Sequence, residues 1–344
     1  MDQPPVDNRT DYKTHAQVLL DRDGEKLFVL VKATYELDLV SGALELASKE
    51  RMRPPWFGDV PWGEPEIASI AYPADIFLRR PGTDVFIVGE ACAQDDREVP
   101  TFDAVAQVGS LEKIVRVFGL RVWEANGSGL TPPGKVSRIE LRYDNAWGGF
   151  DVSDPQKPVE EARNPVGMGR VRDAKLLTHK PAPQLEDPRA LIRDIRTLPP
   201  PCSLGPIGRS YEPRRSFAGT YDDAWKEKHS PLLPKDFDDR FNIAASPGLH
   251  AEVPFIGGEQ VALWNLVPGG GATKFRLPTK RVEISIQAPG REPHVVRPRM
   301  DSVLIDTLAM GPQKPLAIEL CWRTSVPAPR HMKDTTIVVT EKKG

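Results

Sequence analysis

The chain has 344 residues, 40% of them hydrophobic and 27% charged, enough for one large domain or two ordinary ones and too apolar for wholesale disorder. Its 46 basic and 48 acidic residues are mixed along the whole length and leave a net charge of −2, so no sustained positive field exists to draw in nucleic acid. No stretch approaches the roughly 18–20 apolar residues of a membrane helix and the polar start from Met1 to Thr10 has no signal-peptide core, so a cytoplasmic protein without a membrane partner is expected.

The first predicted unit is a β-hairpin, His15–Leu20 and Lys26–Leu37 across Asp23-Gly24, because Asp-Gly supplies the positive φ of a tight turn. Leu27, Val29, Val31 and Ala33 alternate with Phe28, Leu30, Lys32 and Thr34, which predicts a central strand buried on both faces at its start. The segment 54–65 (Pro-Pro-Trp-Phe-Gly-Asp-Val-Pro-Trp-Gly-Glu-Pro) has turn formers at nearly every step and reads as an ordered loop. Strands follow at Thr83–Ala93, at Phe102–Val108 and Leu111–Trp123 across Gly109-Ser110, and at Lys135–Tyr143, where Ile139, Leu141 and Tyr143 alternate with Glu140 and Arg142.

From Asp151 to about Pro213 periodicity collapses under repeated prolines, while Val166, Ile192, Leu204 and Ile207 favour order; long irregular stretches of this kind are usually functional or disordered. The chain's 35 prolines must sit in edges and loops, since proline cannot donate to a strand ladder. A short helix is expected after Thr220, read as its cap, with Asp223 favouring its N-terminus and Pro231 ending it. Strands then resume at Val261–Val267 and Thr273–Leu277 across Gly269-Gly270-Gly271, and at Arg281–Gln287, His294–Pro298, Met300–Thr307 and Pro315–Arg323. Thr335–Thr340 could add an edge strand to a fraying tail. The fold class is mostly β: an antiparallel sandwich or partly closed barrel with long Pro/Gly-rich loops and one or two short helices. Residues 11–323 read as one domain, with an alternative of two β units at 11–150 and 214–323 joined by irregular 151–213, and with 324–344 as the tail.

The contexts that chemistry needs are missing. There is no Gly-x-x-x-x-Gly-Lys-Ser/Thr loop, no Gly-x-Ser-x-Gly elbow and no His-Glu-x-x-His helix. Gly167-Met168-Gly169 lacks a third glycine, and His250-Ala251-Glu252 lacks the Pro-Cys-x-x-Cys that zinc deaminases pair with it. The six histidines have no ligand spacing and Cys92, Cys202 and Cys321 read as reduced core thiols, so no catalytic residue, metal site or cofactor is assigned. Tyr221 and Trp225, four apart on the short helix, would share one face; with Arg214 and Arg215 they form either an anchor to the sheet or a binding surface.

Several segments occur in a fixed order: Gly58-Asp59-Val60-Pro61-Trp62-Gly63, Tyr72-Pro73-Ala74-Asp75, Thr83-Asp84-Val85, Ala146-Trp147-Gly148-Gly149, Arg163-Asn164-Pro165-Val166-Gly167, Gly205-Pro206-Ile207-Gly208-Arg209, Gly219-Thr220-Tyr221-Asp222-Asp223-Ala224-Trp225 and Leu232-Leu233-Pro234-Lys235-Asp236-Phe237-Asp238. Together, over roughly Asp11 to Leu277, they resemble a domain-of-unknown-function family of bacterial type VI secretion adaptors, also called effector chaperones. The resemblance implies a cytoplasmic protein that holds a toxic effector and helps load it onto a VgrG-type or PAAR-type spike protein, with no catalytic residues. The motif residues Trp62, Trp147, Arg163, Asn164, Arg209, Arg214, Arg215, Tyr221, Asp222 and Trp225 are the candidate partner-binding positions. The alternatives are a hydrolase acting on carbohydrate or peptide through a carboxylate pair, and a structural β module of the secretion apparatus.

Overall fold

A computed structural model describes residues 4–65, 67–308 and 315–342. The chain is mostly β, built from several sheets of which none closes into a barrel, with one α-helix among the described residues, Asp223–Lys228.

The largest sheet has seven strands. Six follow the order His250–Ala251, Thr83–Val88, Met300–Asp306, Leu316–Pro327, Gly24–Leu37 and Lys13–Asp21, and Leu44–Leu46 pairs with the end of Gly24–Leu37. Most neighbours are antiparallel, but Thr83–Val88 runs parallel to Met300–Asp306. A five-stranded sheet holds Leu185–Glu186, Leu111–Phe118, Thr101–Val108, Gln260–Trp264 and Ala272–Arg276 in that order. A four-stranded sheet holds Val6–Asn8, Thr336–Lys342, Arg281–Gln287 and His294–Val296. The seven-stranded and four-stranded sheets each combine strands from the early and the late parts of the sequence.

The local turn chemistry is where it was expected. Asp21 pairs with Gly24, so the first hairpin turns on Arg22-Asp23 with Gly24 at φ +133°, and Val108 pairs with Leu111 across Gly109 at φ +58°. The Thr83–Ala93 expectation resolves into two strands, Thr83–Val88 and Glu90–Cys92, because the chain leaves the large sheet at Gly89. A Cβ there would lie 1.7 Å from the Thr307 hydroxyl oxygen. Leu111–Trp123 ends earlier, at Phe118, and Lys135–Tyr143 shortens to Arg138–Glu140.

Thr336–Lys342 lies between two strands rather than on an edge, because Val6–Asn8 pairs parallel to its outer side; Lys343 and Gly344 of the expected tail lie outside the described residues. Between Arg138–Glu140 and Gln260–Trp264 no strand among the described residues exceeds two residues, as the loss of periodicity foretold.

The Gly24–Leu37 strand is buried on both faces, and the two faces differ in chemistry. Val31, Ala33 and Tyr35 stand opposite Trp322, Leu320 and Ile318, and with Val303, Ile305, Val85 and Ile87 they make an apolar face that shares one continuous core with the other two large sheets. The other face sets Lys32 opposite Cys321 and Thr34 opposite Glu319, with Ser302, Asp306 and Asp84 on the neighbouring strands. All three cysteines are buried and unpaired.

Candidate docking surface

The charged face of the seven-stranded sheet is covered by the Pro/Trp loop and the segment after it. Lys32, with no exposed surface, places its ammonium 2.8 Å from Asp75 and 2.6 Å from Glu319. Arg53 bridges Asp306 at 2.6 Å and Glu319 at 2.8 Å, and the Tyr72 hydroxyl donates to Asp306 at 2.8 Å. Trp56 closes the row: its indole N–H donates to Glu319, its backbone N–H donates to Asp75, and its ring stacks on Tyr72 with centroids 4.7 Å apart. Burial pulls the Lys32 pKa down, yet Glu319 and Asp75 more than offset this and hold it above the ordinary lysine value. The loop that sequence pattern made irregular is therefore held at its flanks by the ion pairs of Arg53 and Asp75 and from within by the hydrogen bonds of Trp56.

Two more motif acids act in the same way. Asp84 accepts the backbone N–H groups of Ala244 and Ala245, meets His250 Nδ1 at 2.8 Å and pairs with Arg80 at 2.9 Å, so it fastens the 244–250 segment to the sheet. Asp59 accepts from the Ala74 N–H at 2.8 Å and sits 3.2 Å from Arg209, tying the Pro/Trp loop to the turn around Gly205–Arg209.

Of the sequence-predicted site residues, several turn inward. Asn164 is fully buried and donates to the carbonyls of Tyr143 and Trp147. The neighbouring glycines leave it room: a Cβ on Gly148 would lie 2.1 Å from the Asn164 carbonyl oxygen, and one on Gly167 would lie 2.2 Å from its side-chain nitrogen. Trp147 packs with Trp123, Leu177, Ala182 and Ile192 in a second core that gives the Pro-rich segment its own interior. Arg214 is buried and donates to the carbonyls of Ile207 and Phe241; burial pushes its pKa down to about 10. These three residues build the scaffold. Arg163 and Arg215 are about half exposed and engaged by Glu161 and by Glu212 and Glu160, while Trp62 is half-buried with the Arg142 guanidinium over its ring.

Tyr221, Asp222 and Trp225 lie together on a surface excursion, residues 219–237. Its neck is closed by Asp236, which accepts from both the backbone N–H and the hydroxyl of Thr220. Gly219, at φ +82°, lets the two sides of the neck meet, since a Cβ there would lie 2.8 Å from Pro234. The helix is capped by Asp222, which accepts from the Trp225 N–H at 2.8 Å, and not by Thr220, whose hydroxyl is committed to Asp236. Helix Asp223–Lys228 buries no residue completely, and the excursion meets the sheet through the Leu233 N–H, which donates to the Asp21 carbonyl. Trp225 instead donates its indole N–H to Leu232 within the excursion, and Tyr221, 54% exposed, stands edge-on to it with ring centroids 4.7 Å apart. A cleft of about 330 Å³ lined by Trp225, Lys228, His229 and Pro234 opens beside the pair.

One arrangement has the parts of a nucleophilic centre. Ser246 Oγ lies 2.5 Å from Lys113 Nζ and 2.6 Å from the Tyr143 hydroxyl, at the wall of a cavity of about 630 Å³. Burial pulls the Lys113 pKa down, the direction that a lysine base needs. Ser246 is sealed from solvent, however, and its own proton goes to the Ser203 carbonyl at 2.7 Å, so the trio works as a staple between segments.

A family model described as "Uncharacterized protein conserved in bacteria (DUF2169)" matches residues 22–323. The chain belongs to this family. No curated protein and no solved structure matches it. The DUF2169 match runs past Leu277 to take in Met300–Asp306 and most of Leu316–Pro327, the strands that carry Asp306 and Glu319. Sequence reading missed this buried charge row. Its one local sign was Lys32, a charge inside an otherwise apolar run.

Proposed function

We propose that this DUF2169 protein is a bacterial adaptor that grips an effector toxin in the cytoplasm and assists its loading onto a VgrG-type or PAAR-type spike of a type VI secretion machine. One observation carries the protein-binding part of the reading: a ring pair, Tyr221 and Trp225, is held outside the core on an excursion whose neck is stapled shut. Exposed aromatic anchors on a rigid support are what interface hot spots use. The irregular segment adds further exposed apolar side chains, Phe150, Val152 and Leu198, each more than half exposed. The ordered motif set supports the secretion context. The hydrolase alternative has less behind it, because Asp75, Asp306 and Glu319 are neutralised by Lys32 and Arg53 beneath the loop.

The test is co-purification from the native host. A tagged chain should capture an effector or a spike protein, and Tyr221→Ala, which changes an exposed ring, should keep its circular dichroism spectrum while losing most of the captured partner. Recovery of neither class of protein with the wild type would overturn the proposal.

A further inference from the structure

A second surface lies where the four-stranded sheet meets the end of the seven-stranded one. A groove of about 580 Å³ runs there, within the ~300–1,000 Å³ of clefts that bury most of a small ligand. Its floor is apolar: Phe255, Val282, Met300 and Trp322, all buried. Its walls are basic, carrying Lys280, Arg281, Arg297, Arg299 and Lys342.

The positive charge is only partly answered. Glu341 pairs with Lys280, and Glu283 pairs with Arg297 at 2.8 Å and Lys342 at 3.5 Å. Arg281 and Arg299, both exposed, have no ion-pair partner among the described residues. Two uncompensated guanidinium groups over an apolar floor, in a molecule of net charge −2, are a local reversal of the overall sign. Guanidinium forks favour carboxylates in bidentate geometry. At the mouth, Ile256 is 56% exposed, giving the rim apolar contact as well.

We infer that this groove binds an acidic peptide segment of a partner protein, with an apolar side chain against Ile256 at the mouth and carboxylates on Arg281 and Arg299. The inference rests on the adaptor reading for the identity of the partner, which would carry such a segment, but not for the binding itself. A phosphate-rich polymer fits less well, because it would offer no apolar partner to the exposed Ile256 at the groove's mouth.

The experiment measures fluorescence anisotropy of the full chain with a labelled octapeptide of alternating glutamate and leucine. Controls are the same peptide with lysine for glutamate and a labelled single-stranded oligonucleotide of eight nucleotides. The wild type should bind the acidic peptide at least tenfold more tightly than either control, with affinity falling as salt rises. Arg281→Glu combined with Arg299→Glu should weaken that binding at least tenfold at an unchanged melting temperature, since neither residue holds a partner in the fold. Equal binding of the acidic and basic peptides, tighter binding of the oligonucleotide, or full affinity in the double variant would each overturn the groove assignment. Partner capture from the host separates the two ideas: a double variant that still captures its effector leaves the adaptor reading standing without this groove, whereas peptide binding with no captured partner leaves the groove standing without the adaptor.

Discussion

The ammonium of Lys32 and the carboxylate of Glu319 meet at 2.6 Å inside the protein, from adjacent strands of the central sheet, with almost no surface of either residue reaching solvent. The pair binds the loop to the sheet because each member has a second partner flanking the Pro/Trp loop: Asp75 for Lys32, Arg53 for Glu319. Removing one member strands a charge in the interior, which costs about 3–5 kcal/mol. Lys32→Met is therefore expected to lower the midpoint of urea unfolding by that equivalent, and a midpoint within 1 kcal/mol of wild type (about one hydrogen bond's worth) would show that the row is solvated.

Asn164 supplies a second stability prediction. Asn164→Ala leaves the carbonyls of Tyr143 and Trp147 unpaired in the core, a loss of about 1–3 kcal/mol. Gly167→Ala presses a methyl group against the Asn164 side chain and the Ala146 carbonyl. In the double variant the first of those clashes disappears, so its loss should be smaller than the sum of the two single-variant losses when measured by chemical denaturation.

Acid should open the excursion before it unfolds the body. The Asp236 carboxyl is held below the usual carboxylate range by its bonds from the Thr220 hydroxyl and N–H. Its contribution is present above the unfolded-state value of about 3.9 and disappears as pH falls through the lower folded-state value. Cleavage within 219–237 by pepsin at low pH should precede loss of the near-ultraviolet circular dichroism signal, and Asp236→Ala should admit thermolysin at the same site at neutral pH.

Lys113 gives the opposite dependence. Lys113 is only half-buried, but a lysine with a lowered pKa binds its proton less tightly in the folded than in the unfolded chain. Stability therefore rises with pH between the folded value and the unfolded value of about 10.4. The melting temperature of the wild type relative to Lys113→Met should climb through the alkaline range; a flat difference would mean that the ammonium is fully hydrated.

What could be read from the sequence was local. Asp23-Gly24 and Gly109-Ser110 marked their hairpins because a positive φ is a demand met within two or three residues. The unbroken apolar run at Leu27–Val31 announced a central strand. The irregular stretch was legible as irregular, but not what orders it, since Asn164, Asp84 and Asp75 find their partners across long separations that periodicity cannot convey. The parallel pairing of Thr83–Val88 with Met300–Asp306 was hidden for the same reason. Candidate residues chosen by type divided accordingly: Trp147, Asn164 and Arg214 went to the interior and Tyr221 stayed outside, while Arg281 and Arg299, which no motif marks, line a basic groove.

Val6 lies beside Ile337, an early strand clasped to a late one. A ribosome making this protein releases Val6–Asn8 long before its parallel neighbour Thr336–Lys342 exists, and Thr83–Val88 likewise waits for Met300–Asp306. Until those later strands emerge, the growing polypeptide carries bare strand edges with no mate, the condition that invites wrong pairing and aggregation. Yield in a heterologous host should accordingly depend on how quickly synthesis completes and on holding chaperones, more than on the stability of the finished molecule.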